Sequence, residues 1–129
     1  MSASSPSASD IADHEYVLLT SYRRTGEPVG TAVWTVRDGE RLLVTTGAES
    51  GKVKRIAHTP RVTLTPCDMR GKVAEGAESV EATAVVDESP ETRATLEAAL
   101  LKKYGAAYRM VRLNKRRVAS SVALVITPA

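Results

Sequence analysis

In Thr45-Thr46-Gly47-Ala48-Glu49-Ser50-Gly51-Lys52-Val53-Lys54-Arg55, the chain passes from a predicted strand to a predicted short helix. Ser50 is favoured just before a helix, where its oxygen accepts a bond from a backbone N–H. The first helical turn has unpaired N–H donors and a partial positive charge, which the cations Lys52, Lys54 and Arg55 oppose. A bound phosphate would offset this repulsion, because phosphates bind at helix N-termini. The alternative is a solvated basic turn.

The composition predicts a single domain with a modest core. The 129 residues contain no internal repeat, 43% of them are hydrophobic, and the aromatic residues are one Trp and four Tyr. A net charge of +3 favours anionic ligands without requiring nucleic acid, and we expect none. The single cysteine, Cys67, excludes an internal disulfide and a multi-cysteine metal site, so a cytoplasmic protein is expected.

The N-terminal residues differ in composition from the rest of the chain. Residues 1–10 are rich in Ser, Ala and Pro and have neither the basic nor the apolar region of a signal peptide. We therefore expect a disordered leader over residues 1–12 and a folded domain over residues 13–129. No apolar run approaches the roughly 18 residues of a membrane span, so no membrane partner is expected.

Apolar and alternating segments predict six or seven strands. They lie at residues 16–24, 29–36, 40–46, 61–65, 79–87 and 121–127, while 72–78 is either strand or loop. Asp38-Gly39 predicts an antiparallel hairpin, and helices are predicted at 51–58, 90–104 and 106–117. The order of these elements predicts class α+β, mainly β. The expected architecture is a closed or split β-barrel of mostly antiparallel strands with short peripheral helices, paired with a second copy.

Three segments carry a resemblance to a known family. They are Pro28-Val29-Gly30-Thr31-Ala32-Val33-Trp34, the strand-to-helix run Thr46-Gly47-Ala48-Glu49-Ser50-Gly51-Lys52-Val53-Lys54-Arg55, and Pro66-Cys67-Asp68-Met69-Arg70-Gly71-Lys72. The chain resembles, over about residues 16–128, the flavin- and deazaflavin-binding split β-barrels of the pyridoxamine-phosphate-oxidase-like superfamily. It is most similar to the actinobacterial branch of coenzyme F420-dependent oxidoreductases.

The resemblance implies a homodimer that binds its cofactor, coenzyme F420 or alternatively FMN, at the subunit interface. Residues 13–129 would form the cofactor-binding domain. The ring would lie along residues 31–35, and the turn after the third strand would meet the ring edge, the ribityl chain and the phosphate. The implied cofactor-binding residues are Thr31, Ala32, Val33, Trp34, Thr35, Thr45, Thr46, Ser50, Gly51, Lys52, Lys54, Arg55 and Arg70.

Two departures from the flavin-binding members favour the deazaflavin. Gly51 stands where those members often have an arginine, which removes one phosphate contact that Lys54 or Arg55 could replace. The second departure is that this sequence shows no counterpart of the C-terminal aromatic and basic segment that the flavin oxidases use. The implied activity is hydride transfer from the reduced deazaflavin to a small or mid-sized organic acceptor. An FMN oxidoreductase and a non-catalytic cofactor- or haem-binding module are the alternatives.

The residues taken by themselves point to no catalytic or metal-binding set. Hydride transfer relies on the cofactor, so no nucleophile–base pair is required, and His14 and His58 are interpreted as structural. Trp34 suits either a cofactor wall or an anchor in the core or the interface. Arg109, Arg112 and Arg116 recur at helical spacing and would share one face, which would either bind the anionic tail of the deazaflavin or remain solvated.

Overall fold

The computed structural model describes residues 11–128. Seven strands and four helices occur in this part of the chain. The strands are β1 (Tyr16–Tyr22), β2 (Pro28–Val33), β3 (Thr35–Asp38), β4 (Arg41–Gly47), β5 (Arg61–Cys67), β6 (Val80–Asp87) and β7 (Ser121–Pro128). The helices are α1 (Gly51–His58), α2 (Pro90–Tyr104), α3 (Ala106–Arg112) and α4 (Lys115–Ala119).

All seven strands form one antiparallel sheet in the order β2-β1-β5-β6-β7-β4-β3. The predicted hairpin is confirmed: Asp38 pairs with Arg41 across a turn in which Gly39 has φ 64°. A salt bridge of 2.8 Å from Arg41 Nε to Asp38 Oδ2 closes the same turn. The sheet curls into a half-barrel, which confirms the predicted α+β, mainly β split barrel with short peripheral helices.

The prediction of one continuous strand over residues 29–36 is wrong. The chain leaves β2 at Val33, passes through Trp34 and enters β3 at Thr35. Because β2 and β3 form opposite edges of the sheet, this single residue connects the two edges. One residue can span the two edges only if the sheet is strongly curved, so that its edge strands lie close together. Local sequence cannot reveal the break, since both halves favour extended backbone.

The interior of the half-barrel holds the main core. Leu19, Leu64, Leu124 and Ile126 are fully buried there, together with Ile56 of α1. Burying a side chain of this size is worth about 1.5–3 kcal/mol relative to exposure.

The predicted end of the leader at residue 12 is wrong. Ile11 and Ala12 are only 1% and 4% exposed and belong to the main core, because their apolar side chains cover the interior of the half-barrel. The preceding part of the predicted leader, residues 1–10, lies outside the described residues.

A second core lies between the sheet and α2. Leu96 and Leu100 pack there with Val36, Leu43 and Ala123. The predicted helix is confirmed at both ends: Ser89 Oγ accepts a bond of 3.3 Å from the backbone N–H of Thr92, and the helix stops at Gly105, where φ is 52°. Residues of β7 contact both cores in alternation, as its continuous apolar run predicted.

The structure decides one open alternative and corrects one predicted helix. Residues 72–78 form a loop that touches the sheet through one isolated bridge between Cys67 and Val73. The prediction of one continuous helix over residues 106–117 is wrong. This segment is divided into α3 and α4, because Asn114 leaves the helical conformation and its side chain accepts a bond of 3.0 Å from the backbone N–H of Arg117.

Candidate functional site

A cleft of about 550 Å³ opens where the ends of β2 and β4 meet α3 and α4. This volume lies within the range of small-molecule and cofactor sites, roughly 300–1,000 Å³. Seven of the predicted cofactor-binding residues line it: Thr31, Ala32, Val33, Trp34, Thr45, Thr46 and Lys52. The fold therefore brings together two segments that the sequence separates, one from β2 and one from the β4–α1 connection.

The connection between β4 and α1 has a defined backbone. Ser50 caps α1, and its hydroxyl accepts a bond of 3.4 Å from the backbone N–H of Val53. The backbone N–H of Ala48 donates to the carbonyl of Ser120 at 2.8 Å, which ties this turn to the start of β7. The hydroxyl of Ser50 also lies 3.4 Å from that of Thr46. Ser50 is thus placed behind the cleft wall as the helix cap.

Lys52 is the cation that α1 contributes to the cleft. It lies in the first turn and is half-buried. Burial lowers the pKa of its ammonium, and the nearby charge of Arg55 lowers this pKa further. Within residues 11–128 the ammonium has no ion-pair or hydrogen-bond partner. A partly desolvated, unpaired cation at a helix start is suited to bind an anion.

Arg55 lies beside Gly51 and is held by the sheet. Its Nε donates to the hydroxyl of Ser21, which is fully buried, at 2.7 Å. A Cβ atom at Gly51 would lie only 2.7 Å from Nη1 of Arg55, so the guanidinium occupies the space that a side chain at position 51 would need. Neither residue lines the cleft, and Lys54 is exposed outside it.

An aromatic pair lies next to β2, and its member Trp34 lines the cleft. The Trp34 ring stacks on Tyr104 with centroids 4.4 Å apart and an interplanar angle of 12°. The Tyr104 hydroxyl donates to the carbonyl of Glu15 at 2.7 Å and accepts from the backbone N–H of Thr35 at 3.2 Å. The pKa of Tyr104 is raised to about 12, mainly by burial. Trp34 is therefore both anchored to the second core and available on the cleft wall.

Two further predicted binding residues lie away from the cleft. Thr35 is fully buried, and its side chain makes no hydrogen bond. Arg70 is exposed in the turn after β5, where its backbone N–H donates to Asp68 Oδ1 at 2.9 Å. A role for Arg70 in the cleft of this same chain has no geometric support.

Sequence reasoning missed the helical side of the cleft. Tyr108 and Val111 of α3, Arg117 and Val118 of α4, and Ser120 line it. Tyr108 and Val111 lie three residues apart on α3, a helical spacing that could have identified this inward face. The expected common face of Arg109, Arg112 and Arg116 is wrong, because the helix breaks between α3 and α4.

Both histidines, His14 and His58, lie outside the lining of the cleft. His14 is exposed, and the ring of His58 is bonded to the guanidinium of Arg24 at 2.9 Å on the surface. In the part of the chain that the structure describes, no group of three acidic, His or Cys residues could hold a metal ion. None of the helices described there is both long and apolar enough to cross a membrane.

Solved structures with a similar fold include an F420 reductase, with a TM-score of 0.62, 20% identity and coverage of 98% of this chain and 96% of that one. A conserved hypothetical protein from Mycobacterium tuberculosis matches with a TM-score of 0.72, 21% identity and coverage of 95% and 81%. The haem storage protein HutZ from Vibrio cholerae matches with a TM-score of 0.71, 12% identity and coverage of 93% and 86%. At these identities the matches show a shared fold.

No curated protein matches the chain significantly. A family model does, and it extends over nearly the entire sequence, including the cleft and both cores. The chain belongs to the Pyridoxamine 5'-phosphate oxidase family, whose model matches residues 8–129.

Proposed function

We propose that this protein is a reductase that uses the deazaflavin coenzyme F420 and transfers a hydride to a small or mid-sized organic acceptor. The observation that carries the proposal is Lys52, a half-buried cation that has no ion-pair partner within residues 11–128 and lines a cleft of about 550 Å³. The family membership and the similarity to a solved F420 reductase support the choice of cofactor.

The cleft satisfies the two chemical needs of such a cofactor. Lys52 is suited to bind the phosphate, because it carries an uncompensated charge in a partly desolvated position. Ala32, Val33 and the indole of Trp34 offer an apolar wall for a flat ring, and the hydroxyl of Thr45 supplies polarity at the edge of the cleft. Mostly apolar walls with a few placed polar groups are typical of cofactor sites.

The chain's own residues would act by binding, orienting and excluding water. When bound, the deazaflavin supplies hydride-transfer chemistry. Lys52 would hold the phosphate end, while Trp34, itself fixed by its stack on Tyr104, would orient the ring. Val111 of α3 and Val118 of α4 line the helical side of the cleft and would exclude water from the reacting face of the ring. Such a role requires no side-chain nucleophile.

The geometry around Gly51 bears on the choice between deazaflavin and FMN. The guanidinium of Arg55 fills the space beside Gly51, but its bond to Ser21 directs it to the sheet. Lys52 is then the single cation that α1 presents to the cleft. A cofactor whose phosphate is held by one lysine needs further contacts to bind tightly. The anionic tail of the deazaflavin could make such a contact with Arg117, which lines the cleft from α4.

Haem binding is the second candidate, since two structural neighbours are a haem storage protein and a haem-binding protein from Mycobacterium smegmatis. The second of these is a longer chain, of which this protein covers 52%. Haem iron in proteins is held by His, Cys, Met or Tyr, and of these four residue types the cleft lining includes only the tyrosines Tyr16 and Tyr108. The lining therefore offers haem a tyrosine ligand but no His, Cys or Met.

A homodimer completes the proposal, with the cofactor at the subunit interface and no nucleic acid as a partner. Next to the cleft-lining residue Val111, Met110 and Leu113 are 68% and 74% exposed. Large apolar side chains exposed side by side are typical of a surface that a partner covers. A second copy of the chain seated there would border the cleft.

Titration of the purified protein with coenzyme F420, FMN and haemin tests the proposal. Trp34 is the only tryptophan and lines the cleft, so its fluorescence reports binding directly. We expect F420 to bind more tightly than FMN or haemin, and the reduced coenzyme to be reoxidised in the presence of quinones or enones. Binding of FMN or haemin without F420 binding would overturn the proposal.

A further inference from the structure

Tyr108 is a largely buried residue that lines the cleft, and its hydroxyl has no partner within residues 11–128. It lies on α3, is only 4% exposed and lines the cleft. Within residues 11–128 its hydroxyl makes no hydrogen bond, and its recorded polar contact is that of the Arg112 guanidinium 6.0 Å from the ring centroid. Among residues 11–128 the one enclosed side-chain polar atom without a partner is Thr35 Oγ1, so the Tyr108 hydroxyl remains accessible and free to bond a ligand.

Tyr104 provides the internal comparison. It is the last residue of α2, lies before the break at Gly105 and is partly buried against the second core. Its hydroxyl has two backbone partners, the carbonyl of Glu15 at 2.7 Å and the N–H of Thr35 at 3.2 Å. The fold thus gives protein partners to the hydroxyl of Tyr104, which supports the cleft wall, whereas the hydroxyl of Tyr108, which lines the cleft, has none within residues 11–128.

We propose that the Tyr108 hydroxyl donates a hydrogen bond to a carbonyl oxygen of a planar molecule bound in the cleft. Two sources of this carbonyl fit, namely the ring of the deazaflavin and an organic acceptor such as a quinone or an enone. The role of Tyr108 rests on the proposed function, because that function supplies the planar ligand.

The surroundings of Tyr108 keep it in the donor form. Burial raises the pKa of its hydroxyl, Glu97 raises it further, and Arg112 and Arg93 oppose the shift. The phenol therefore stays protonated at neutral pH. Trp34 and Val111 line the same cleft and supply apolar contact for a flat ring. A planar ligand with a polar oxygen at its rim matches this combination of apolar walls and a phenolic donor.

The test compares Tyr108→Phe with the wild type in two binding assays that require no turnover. In the first, 1,4-naphthoquinone is titrated by quenching of Trp34 fluorescence, with and without saturating coenzyme F420, and naphthalene is measured by its displacement of the quinone. In the second, F420 is titrated alone. Urea denaturation of both proteins and of Tyr104→Phe reports the effect on folding.

We expect Tyr108→Phe to raise the Kd of the quinone or of F420 by about three- to tenfold, the effect of losing one neutral hydrogen bond, with no change for naphthalene. A change confined to F420 identifies the cofactor ring as the source of the carbonyl, and a change confined to the quinone identifies the acceptor. Stability should be unchanged, whereas Tyr104→Phe should be less stable.

Unchanged Kd values for both carbonyl ligands would overturn the role of Tyr108. A loss of stability in Tyr108→Phe as large as in Tyr104→Phe would also overturn it, because the hydroxyl would then have a partner in the protein. If F420 fails to bind the wild type, the proposed function fails, while the quinone titration still tests Tyr108. If neither ligand binds the wild type, both proposals fail.

Discussion

Replacing Lys52 by Met separates a binding role from a structural one. The substitution keeps an unbranched apolar stem and removes the ammonium. In the free protein this charge is partly desolvated, lies near Arg55 and opposes the dipole of α1. Removing it should raise the free energy of unfolding by about 0.3–1 kcal/mol, the usual size of a charge–dipole effect. Binding should change in the opposite direction.

The expected loss of affinity follows from one charged hydrogen bond. Such a bond is worth about 1.5–3 kcal/mol, so the Kd for coenzyme F420 should rise about tenfold to 150-fold. Fluorescence titration at fixed ionic strength measures this change, and urea denaturation of the cofactor-free protein measures stability. Lys72→Met, which removes an exposed charge from the loop after β5, serves as the control for net charge.

The pH dependence gives the same prediction independently. The pKa of Lys52 is lowered in the free protein, and an anion bound to the ammonium would raise it again. Binding energy from this contact is therefore complete below the lowered pKa and is lost as pH rises through the pKa of the complex. F420 affinity should decline at high pH in the wild type and stay level in Lys52→Met. Lower stability of Lys52→Met with an unchanged Kd would refute the reasoning.

Three other perturbations test the surrounding structure. Tyr104→Phe should lower the free energy of unfolding by about 1–3 kcal/mol in urea denaturation, because the backbone N–H of Thr35 loses its partner; an unchanged value would contradict the bond. Ser21→Ala should lower the free energy of unfolding by about 1.5–3 kcal/mol, because the Arg55 guanidinium loses its bond to the Ser21 hydroxyl, while the Kd for F420 should change by less than about threefold. Weaker F420 binding at unchanged stability would place Arg55 in the site instead. Replacement of both Met110 and Leu113 by Glu should convert a dimer into a monomer in sedimentation velocity, and a monomeric wild type would exclude the proposed pairing.

Local signals predicted much of the fold. The hairpin at Asp38-Gly39, the caps at Ser50 and Ser89 and the stop at Gly105 all depend on the chemistry of a few neighbouring residues, and the structure confirms each of them. The break at Trp34 could not be predicted in this way. It follows from the curvature of the whole sheet, which brings its two edges together.

The candidate site shows the same division. Residues on β2 and the β4–α1 connection were predicted as a group, and seven of them line the cleft. The side formed by α3, α4 and the start of β7 was missed, because only tertiary packing brings it across from β2. Ser50 was assigned a ligand contact by the family resemblance and Arg55 by its charge as well, whereas the structure gives both of them partners inside the protein.

A crystal structure of the protein with coenzyme F420 tests the central claim most directly. We predict the phosphate within hydrogen-bond distance of Lys52 Nζ and the ring against the wall formed by residues 31–34, at the boundary between two subunits. A structure in which the coenzyme binds elsewhere, or in which the Lys52 ammonium points into bulk solvent beside an empty cleft, would contradict the claim.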